Sequence, residues 1–530
     1  MLNFRFKYIL GRMLKKKLQN RFKFIFRRRI LVIISLLAQI ALFIFVIAGT
    51  GIYIKFSYWI LTFLSIIVCI FIINKHEKAG FKLTWIFLIL LFPFFGGILY
   101  IILNFWSNPK KLRKSLNRNI RSSRDAFYLP GNRLDELINN YPDFKTQAHY
   151  LQEYAGFPVY GNTRQEYLPS GEAFHSKVLE EIDKARSYIF LEFFIIKEGV
   201  MLDSILQILE RKAAQGLDVR IMYDDMGCFF TLPPDFPLVL KRKGIKTFVF
   251  NRFRPIISSL QNNRDHRKII SVDGKVAFTG GLNLADEYIN VVERFGHWKD
   301  SAIMIEGDAA WSLTLIFLQM WNLGFKEKDN YTSFYPWKDN EKEIMERGAF
   351  GYVQPYADSP IDNENVGEHV YIQIINHAKK YVYINTPYLI VDDNLLSALT
   401  LAAKSGVDVR IITPHRWDKW IVAITSRSYY RRLIQAGVKV YEYSSGFNHG
   451  KTFVSDDRIA TVGTTNLDFR SLYLHFECGV LIYANETVAA VKEDFLTTLP
   501  GSKEITLKDC ASNIFQRIIP DILRVFAPVM

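Results

Sequence analysis

Residues 266–283 read HRKIISVDGKVAFTGGLN, and residues 449–466 read HGKTFVSDDRIATVGTTN. Each stretch contains a His-x-Lys pair, an Asp, and then Gly-[Gly/Thr]-x-Asn after six intervening residues. A single His-x-Lys-x4-Asp pattern is weak support for any function. Two copies with the same internal spacing, however, indicate one site that is assembled from two related halves.

The sequence on either side of these stretches repeats as well. Residues 185–192 (ARSYIFLE) resemble residues 378–385 (AKKYVYIN), and residues 216–221 (GLDVRI) resemble residues 406–411 (GVDVRI), at offsets of 193 and 190 residues. Short apolar strands alternate with helical stretches, which is typical of layered α/β domains. We therefore predict an α/β fold of duplicated α/β/α domains related by pseudo-two-fold symmetry, preceded by an α-helical membrane region.

Composition divides the 530-residue chain further. The 67 Lys and Arg exceed the 52 Asp and Glu, and the net charge of +15 favours an anionic partner. Four cysteines without CxxC spacing argue against a disulfide scaffold or a cysteine-built zinc site. The predicted segments are a basic cytoplasmic tail at 1–29, a membrane region at 30–105, a basic linker at 106–150, a first α/β domain at 151–335, a second at 336–500 and an amphipathic tail at 501–530.

Three uncharged runs define the predicted membrane region: 30–54, 56–74 and 83–105. Each is long enough to cross a hydrocarbon core of about 30 Å. Residues 1–29 hold 11 Lys and Arg, and seven more lie between residues 110 and 124. Positive charge favours the cytoplasmic side, which keeps both clusters and the α/β domains inside if the third run re-enters the membrane. Three full spans would place the α/β domains outside, and this alternative stays open.

The repeated motif predicts phosphodiester chemistry. On a strand, His and Lys two positions apart point to the same face. Two histidines, His266 and His449, can supply a nucleophile and a general acid on opposite sides of a phosphorus atom. The cationic and amide side chains expected to bind phosphoryl oxygens are Lys268, Asn283, Lys451 and Asn466. The repeat itself does not decide which histidine is the nucleophile.

Four acidic residues accompany the motif in matching pairs. Asp300 and Glu477 take equivalent positions when the two copies are aligned, so we expect them to orient the histidines. Asp273 and Asp456 lie in hairpin-turn sequences, and turn chemistry favours a structural role for them. Asp224-Asp225 has no further acid or His at metal-ligand spacing, so no metal is predicted.

The motif residues resemble the paired HKD motifs of the phospholipase D superfamily. Residues 463–477 (GTTNLDFRSLYLHFE), residues 298–300 (WKD) and the apolar N-terminal pair resemble the bacterial cardiolipin synthases within it, from about Phe56 to the C-terminus. The resemblance implies a catalytic set in which the first histidine is the nucleophile and the second is the acid and then the base: His266, Lys268, Asp273, His449, Lys451 and Asp456.

The same resemblance implies the reaction and its partners. One phosphatidylglycerol would donate a phosphatidyl group to another, giving cardiolipin and glycerol without metal, nucleotide or other cofactor. The partners would be phosphatidylglycerol and other anionic phospholipids at the cell membrane, and not nucleic acid. A hydrolytic phospholipase D or another phosphodiesterase of the superfamily stays open, because hydrolysis and transfer differ only in the acceptor.

Three features are ambiguous or depart from the family pattern. Gly450 stands where such enzymes more often have Ala, and residues 1–54 extend beyond the usual two apolar segments. The stretch 413–420 (TPHRWDKW) suits either a lipid interface or an ordinary surface loop. The apolar stripe of the C-terminal tail suits either membrane contact or packing onto the enzyme.

Overall fold

The computed structural model describes residues 41, 52–92, 96–97, 100–101, 109–253, 259–336, 351–362, 364–510 and 514–529. The chain divides into two compact units. The first contains Met1–Asn108 and Phe253–Gln261, and the second contains Pro109–Arg252 and Asn262–Met530.

The first unit contains helices α1 (Ile52–Ile73) and α2 (Ala79–Leu91). They contact each other through a small apolar cluster that includes Cys69, Ile72 and Ile89. The predicted run 56–74 coincides with α1, and α2 contains the start of the third run, whereas the first run lies almost entirely outside the described residues. Within the part of the chain that is described, no helix has both the length and the apolar character required to cross a membrane.

The second unit contains two large sheets. In the first sheet, the order is β1-β9-β7-β6-β2-β3-β4. Its strands are β1 (Thr163–Leu168), β2 (Tyr188–Phe193), β3 (Asp218–Asp224), β4 (Lys246–Phe250), β6 (Ile269–Val272), β7 (Val276–Gly280) and β9 (Ala302–Gly307). Strands β2, β3 and β4 are parallel, and the others pair antiparallel.

The second sheet repeats this order as β10-β19-β17-β16-β11-β13-β14, and β20 extends its edge. Its strands are β10 (Tyr352–Asp358), β11 (Tyr381–Asn385), β13 (Asp408–Pro414), β14 (Lys439–Tyr443), β16 (Thr452–Ser455), β17 (Ile459–Gly463), β19 (His475–Tyr483) and β20 (Ser502–Ile505). The shared order confirms the predicted duplication. Five shorter strands lie outside these paths: β5 (Arg264–Asp265), β8 (His297–Lys299), β12 (Leu389–Ile390), β15 (Gly446–Asn448) and β18 (Leu467–Asp468). Strand β12 pairs with β18.

Helices cover the sheets of the second unit. They are α3 (Pro109–Ser123), α4 (Leu134–Asn140), α5 (Lys145–His149), α6 (Gly171–Lys184), α7 (Val200–Ala214), α8 (Phe236–Arg242), α9 (Ala310–Trp321), α10 (Val366–His377), α11 (Asp393–Lys404), α12 (Trp420–Gln435), α13 (Phe469–Tyr473), α14 (Glu486–Thr498) and α15 (Ile514–Phe526). Helix α9 is mostly apolar and is buried along its whole length, and it contacts strands of both sheets. A helix with this composition is stable only in a core.

The predicted basic linker is folded. Helix α3 packs against α9, where Asn119 donates a hydrogen bond to the carbonyl of Gln319 (2.8 Å) and Gln319 donates one to Ser123 (2.8 Å). Residues 109–154 are therefore part of the second unit rather than a spacer. Basic and polar residues dominate the sequence of α3, so its packing against α9 was not predicted.

The C-terminal helix α15 packs against α12, and the Arg524 guanidinium lies 4.9 Å from the centre of the Tyr429 ring. Its other face leaves Ile518, Ile519 and Ile522 exposed. Both uses of the predicted apolar stripe are therefore compatible with the structure, because one side is packed and the other is available for contact.

Candidate active site

Two short parallel ladders join the duplicated copies. Strand β5 pairs with the start of β19, and β15 pairs with β8. The ladders continue into the histidines: the backbone N–H of His266 donates to Phe476 (3.0 Å), and that of His449 donates to Lys299 (2.6 Å). Each histidine is thereby placed beside the acidic residue one position further along the other copy, which is Glu477 after Phe476 and Asp300 after Lys299.

The resulting pairs are crossed between the copies. His266 Nδ1 lies 2.9 Å and 3.0 Å from the two carboxylate oxygens of Glu477, and His449 Nδ1 lies 2.6 Å from Asp300 Oδ2. Both acids are fully buried. Aligning the copies finds the two acids, but sequence spacing does not reveal that each one reaches across to the other copy.

The two pairs differ electrically. Burial lowers the pKa of His449 to about 4 together with the Lys451 charge, while the nearby Asp300 carboxylate acts in the opposite direction. Burial disfavours ionisation of Asp300 itself, but the charges on His449 and Lys451 lower the pKa of this carboxyl overall. Asp300 is therefore the ionised member of its pair.

On the other side, burial lowers the pKa of His266 well below its ordinary value, and the charge of Lys268 adds to the effect. Burial also raises the pKa of Glu477 well above its ordinary range. Its oxygens accept hydrogen bonds from Thr464 and from Ser471 (2.7 Å). His266 is thus an uncharged imidazole with Nδ1 held by the Glu477 carboxyl group.

The second residue of each Gly-[Gly/Thr]-x-Asn sequence fits the acid beside it. A Cβ atom on Gly281 would lie 2.0 Å from Asp300 Oδ1, so the absence of a side chain lets this carboxylate approach. At the equivalent position, the Thr464 hydroxyl donates to Glu477. The difference between Gly and Thr therefore follows from the two acid environments.

The side chains of the two motif lysines, Lys268 and Lys451, are buried. Lys268 Nζ donates to the carbonyl of His266 (2.5 Å), and Lys451 Nζ donates to that of His449. Burial lowers the pKa of Lys268 to about 8 and that of Lys451 to about 7. The His-x-Lys segments lie in extended links before β6 and β16, not within strands as predicted from their spacing.

The two motif aspartates lie at hairpin turns. Asp273 and Asp456 adopt positive φ angles of 54° and 55°. The Asp273 carboxylate accepts three backbone N–H bonds at the start of β2, from residues 186–188 (2.7–2.8 Å), and Asp456 accepts three at the start of β11, from residues 379–381 (2.6–2.9 Å). These contacts hold each hairpin turn to the start of a neighbouring strand, which is the structural role that the turn sequences favour.

The motif asparagines and the Asp224 pair have different contacts. Asn283 accepts from the N–H of Ile195 (3.0 Å) and donates to Tyr288 (2.6 Å). The side-chain oxygen of Asn466 is buried and has no hydrogen-bond partner among the described residues. Asp224 accepts N–H bonds from Met226 (2.8 Å) and Gly227 (3.1 Å), which is the loop-anchor alternative to a metal ligand.

Aromatic rings next to the histidines were not identified from the sequence. The Trp298 ring centre lies 5.3 Å and that of Phe447 5.6 Å from the His449 ring centre. Near His266, the Phe194 ring lies at 5.1 Å and the His475 ring at 5.4 Å. The signal was available, because Trp298 and His475 each stand two residues before one of the aligned acids.

The side chains beside His266 include possible metal ligands. Among the described residues, one group of side chains offers ligand atoms within 4.8 Å of one another: His266, His475 and Glu477. Burial lowers the pKa of His475, and the cations Arg470 and Lys268 lower it further; these cations would also repel a divalent ion. The same positive surroundings favour an anion.

Comparisons with known proteins agree with this geometry. Residues 178–321 and 371–499 match a family described as cardiolipin synthase, PLD-like domain, and residues 60–103 match one described as phospholipase D-nuclease N-terminal. A cardiolipin synthase of Halalkalibacterium halodurans is 33% identical over 508 residues, which cover 91% of this chain and 98% of that protein. This chain belongs to the cardiolipin synthase family.

Other relatives extend the comparison. Cardiolipin synthase 1 of Bacillus anthracis is 34% identical over 486 residues, covering 89% of this chain and 93% of that protein. An uncharacterized protein of Streptococcus mutans is 42% identical over 463 residues, covering 87% and 99%. The crystal structure of a Haemophilus influenzae phosphatidylserine synthase has a TM-score of 0.53 at 16% identity, covering 72% and 97%, and shares the fold.

The departure from the cardiolipin synthase pattern at Gly450 is sterically harmless. A Cβ atom there would have its nearest neighbours at 3.5 Å, which is ordinary van der Waals contact, and these include Asn385 and Ser301. Alanine would therefore fit at this position.

Proposed function

We propose that this protein transfers a phosphatidyl group from one phosphatidylglycerol to another, producing cardiolipin and glycerol. The names of the relatives and the duplicated motif support this reaction. The observation that carries the proposal is the crossed pairing of His266 with Glu477 and of His449 with Asp300. It joins two imidazoles from two copies into one site, as a two-step displacement at phosphorus requires.

In the first step, His266 attacks phosphorus. Its Nδ1–H donates to a Glu477 oxygen, which leaves the lone pair of Nε2 to attack, and its low pKa keeps the ring uncharged at neutral pH. The N–P bond forms while the P–O bond to the leaving glycerol breaks. The different acid partners support this choice of nucleophile. The ionised carboxylate, Asp300, stands beside His449, where it can stabilise the imidazolium that a general acid requires.

His449 donates a proton to the departing glycerol oxygen. The pKa of about 4 leaves this imidazole neutral in the free protein, so it must gain its proton when substrate arrives. An anionic phosphodiester about 4 Å away contributes roughly 4 kcal/mol at an effective dielectric of about 20, or about three pKa units. That shift brings the pKa of His449 close to neutral pH, where general acid catalysis is efficient.

In the second step, His449 accepts the proton of a hydroxyl on the second phosphatidylglycerol. The hydroxyl oxygen attacks phosphorus, the N–P bond breaks, and His266 is regenerated. The ammonium groups of Lys268 and Lys451 offset the charge on the phosphoryl oxygens in both steps. His266 and His449 are only 7% and 6% exposed, and this limited access for water supports transfer over hydrolysis.

The location of this reaction is the cell membrane, with several apolar segments in the bilayer and the catalytic domains on the cytoplasmic face. The three apolar runs and the basic clusters around them support this part of the proposal. Helix α1 exposes large apolar side chains, with Trp59 69% and Phe63 63% exposed. In the second unit, Trp417 and Trp420 are exposed beside the basic residues of the 413–420 loop, a composition suited to lipid headgroups.

The test is a product analysis with purified full-length protein and vesicles of phosphatidylglycerol. Cardiolipin and glycerol should appear in equal amounts, and His266→Asn should abolish both. A matched control is His377→Asn, which changes an exposed histidine that bonds only Gln373 and Thr146 on the surface. Phosphatidic acid as the main product would refute transfer and establish a hydrolytic phospholipase D.

A further inference from the structure

His475 occupies a special position in the duplicated fold. It stands two residues before Glu477, as Trp298 stands two residues before Asp300. Each ring is placed beside the histidine of the other copy, at 5.4 Å from His266 and at 5.3 Å from His449. The pseudo-two-fold thus places an imidazole where the other half of the site has an indole.

The two rings differ in how their polar atoms are used. Trp298 packs among the rings of Tyr288 (4.5 Å) and Phe447 (4.9 Å), and its Nε1–H donates to Asp300 Oδ2 (3.5 Å). Both ring nitrogens of His475 are buried and have no hydrogen-bond partner within the described part of the chain. Its Nδ1 is 3.8 Å from the nearest Glu477 oxygen, which is too far for a hydrogen bond. An unpaired buried polar group lowers the stability of the free protein. We therefore expect the His475 ring to form a hydrogen bond when a ligand is bound.

The charges around His475 indicate what it could bind. Burial lowers the pKa of His475 well below its ordinary value, and the cations Arg470, Lys268 and Arg264 lower it further. The ring is therefore uncharged and offers one N–H donor within a positive environment. An oxyanion fits both properties, whereas a cation is repelled.

We propose that His475 is a phosphate-positioning residue, whose ring N–H donates a hydrogen bond to a non-bridging oxygen of the lipid phosphodiester held beside His266. This inference rests on the proposed function, since it assigns a further contact to the same substrate. The contact would form when the phosphodiester enters and persist in the adduct on His266. Trp298 lacks an equivalent role because its ring N–H already donates to Asp300 Oδ2 (3.5 Å).

The test compares His475→Phe with the wild type in thermal stability, inorganic phosphate binding and turnover. Removing an unpaired polar group should raise the melting temperature of the free protein, while the stabilisation by inorganic phosphate should shrink. The kcat/KM on phosphatidylglycerol should fall about ten- to hundredfold, the value of one hydrogen bond to a charged group. His475→Asn keeps an N–H donor and should recover part of this loss.

The matched control is His175→Asn, which removes a histidine whose ring bonds Ser204 (2.7 Å) on the neighbouring helix α7. It should lower the melting temperature and leave kcat/KM and phosphate binding unchanged. If His475→Phe and His475→Asn also left kcat/KM and phosphate binding unchanged, His475 would be a structural residue and the inference would be overturned. Product identity is read separately, so phosphatidic acid from the wild type would refute transfer without affecting the phosphate-binding result.

Discussion

The replacement Asp300→Asn tests whether the Asp300 carboxylate stabilises the protonated form of the general acid, His449. Asp300 Oδ2 lies 2.6 Å from His449 Nδ1, and both side chains are buried. The ionised carboxylate stabilises the imidazolium that donates the proton, and Asn keeps the shape but removes the charge. With the charge centres about 4 Å apart and an effective dielectric of about 20, the lost interaction is roughly 4 kcal/mol.

That loss corresponds to a decrease of about a thousandfold in kcat. The KM for phosphatidylglycerol should change much less, because Asp300 acts through His449 and does not contact the phosphate. The assay is the initial rate of cardiolipin formation over a range of phosphatidylglycerol surface concentrations. A melting curve confirms that the variant is folded.

Asp183→Asn provides the control, because Asp183 pairs with Arg211 at the exposed surface and such pairs contribute little. It should leave both kinetic constants unchanged. A kcat for Asp300→Asn within a few fold of the wild type would refute the role of the carboxylate. A rise in KM at constant kcat would show that Asp300 contributes to substrate binding instead.

Three further expectations follow from the geometry. The pKa of Lys451 is about 7, and a bound anion favours its charged form, so inorganic phosphate binding should weaken as pH rises above 7 and should be accompanied by proton uptake. Calorimetry in buffers of different ionisation enthalpy measures this uptake, and a pH-independent affinity between pH 7 and 9 would contradict the expectation. Gly281→Ala should destabilise the protein by about 1–3 kcal/mol and slow turnover, since its Cβ would meet Asp300 at 2.0 Å, while Gly450→Ala should be neutral, and equal denaturation midpoints for the two would refute this. A single cysteine at the exposed Ser122 should react with a membrane-impermeant thiol reagent only after cells are permeabilised, and labelling of intact cells would place the catalytic domains outside.

Local patterns in the sequence predicted the repeated part of the fold well. The predicted alternation of apolar strands with helical stretches is observed, for example in α7 and α11 of the two copies, and the hairpins at Asp273 and Asp456 are present. These features depend on apolar periodicity and turn chemistry, which are encoded over short stretches.

The contacts between the copies could not be predicted in the same way. The pairing of β5 with β19 and of β8 with β15 joins segments that are distant in sequence, and no spacing rule specifies it. The crossed histidine and acid pairs and the approach of His475 to His266 follow from these ladders. Residues 106–150 were predicted as a basic linker because the sequence of the first helix within them, α3, is dominated by basic and polar residues, and the contact of α3 with α9 joins distant parts of the chain.

The central claim is that phosphorus is transferred through His266, and a covalent adduct is its most direct test. Wild-type protein is mixed with phosphatidylglycerol for less than one turnover, denatured at alkaline pH to preserve N–P bonds, digested and examined by mass spectrometry. We expect a phosphatidyl group on the peptide that contains His266. A phosphatidyl group on His449 instead, or turnover without any adduct on either histidine, would contradict it.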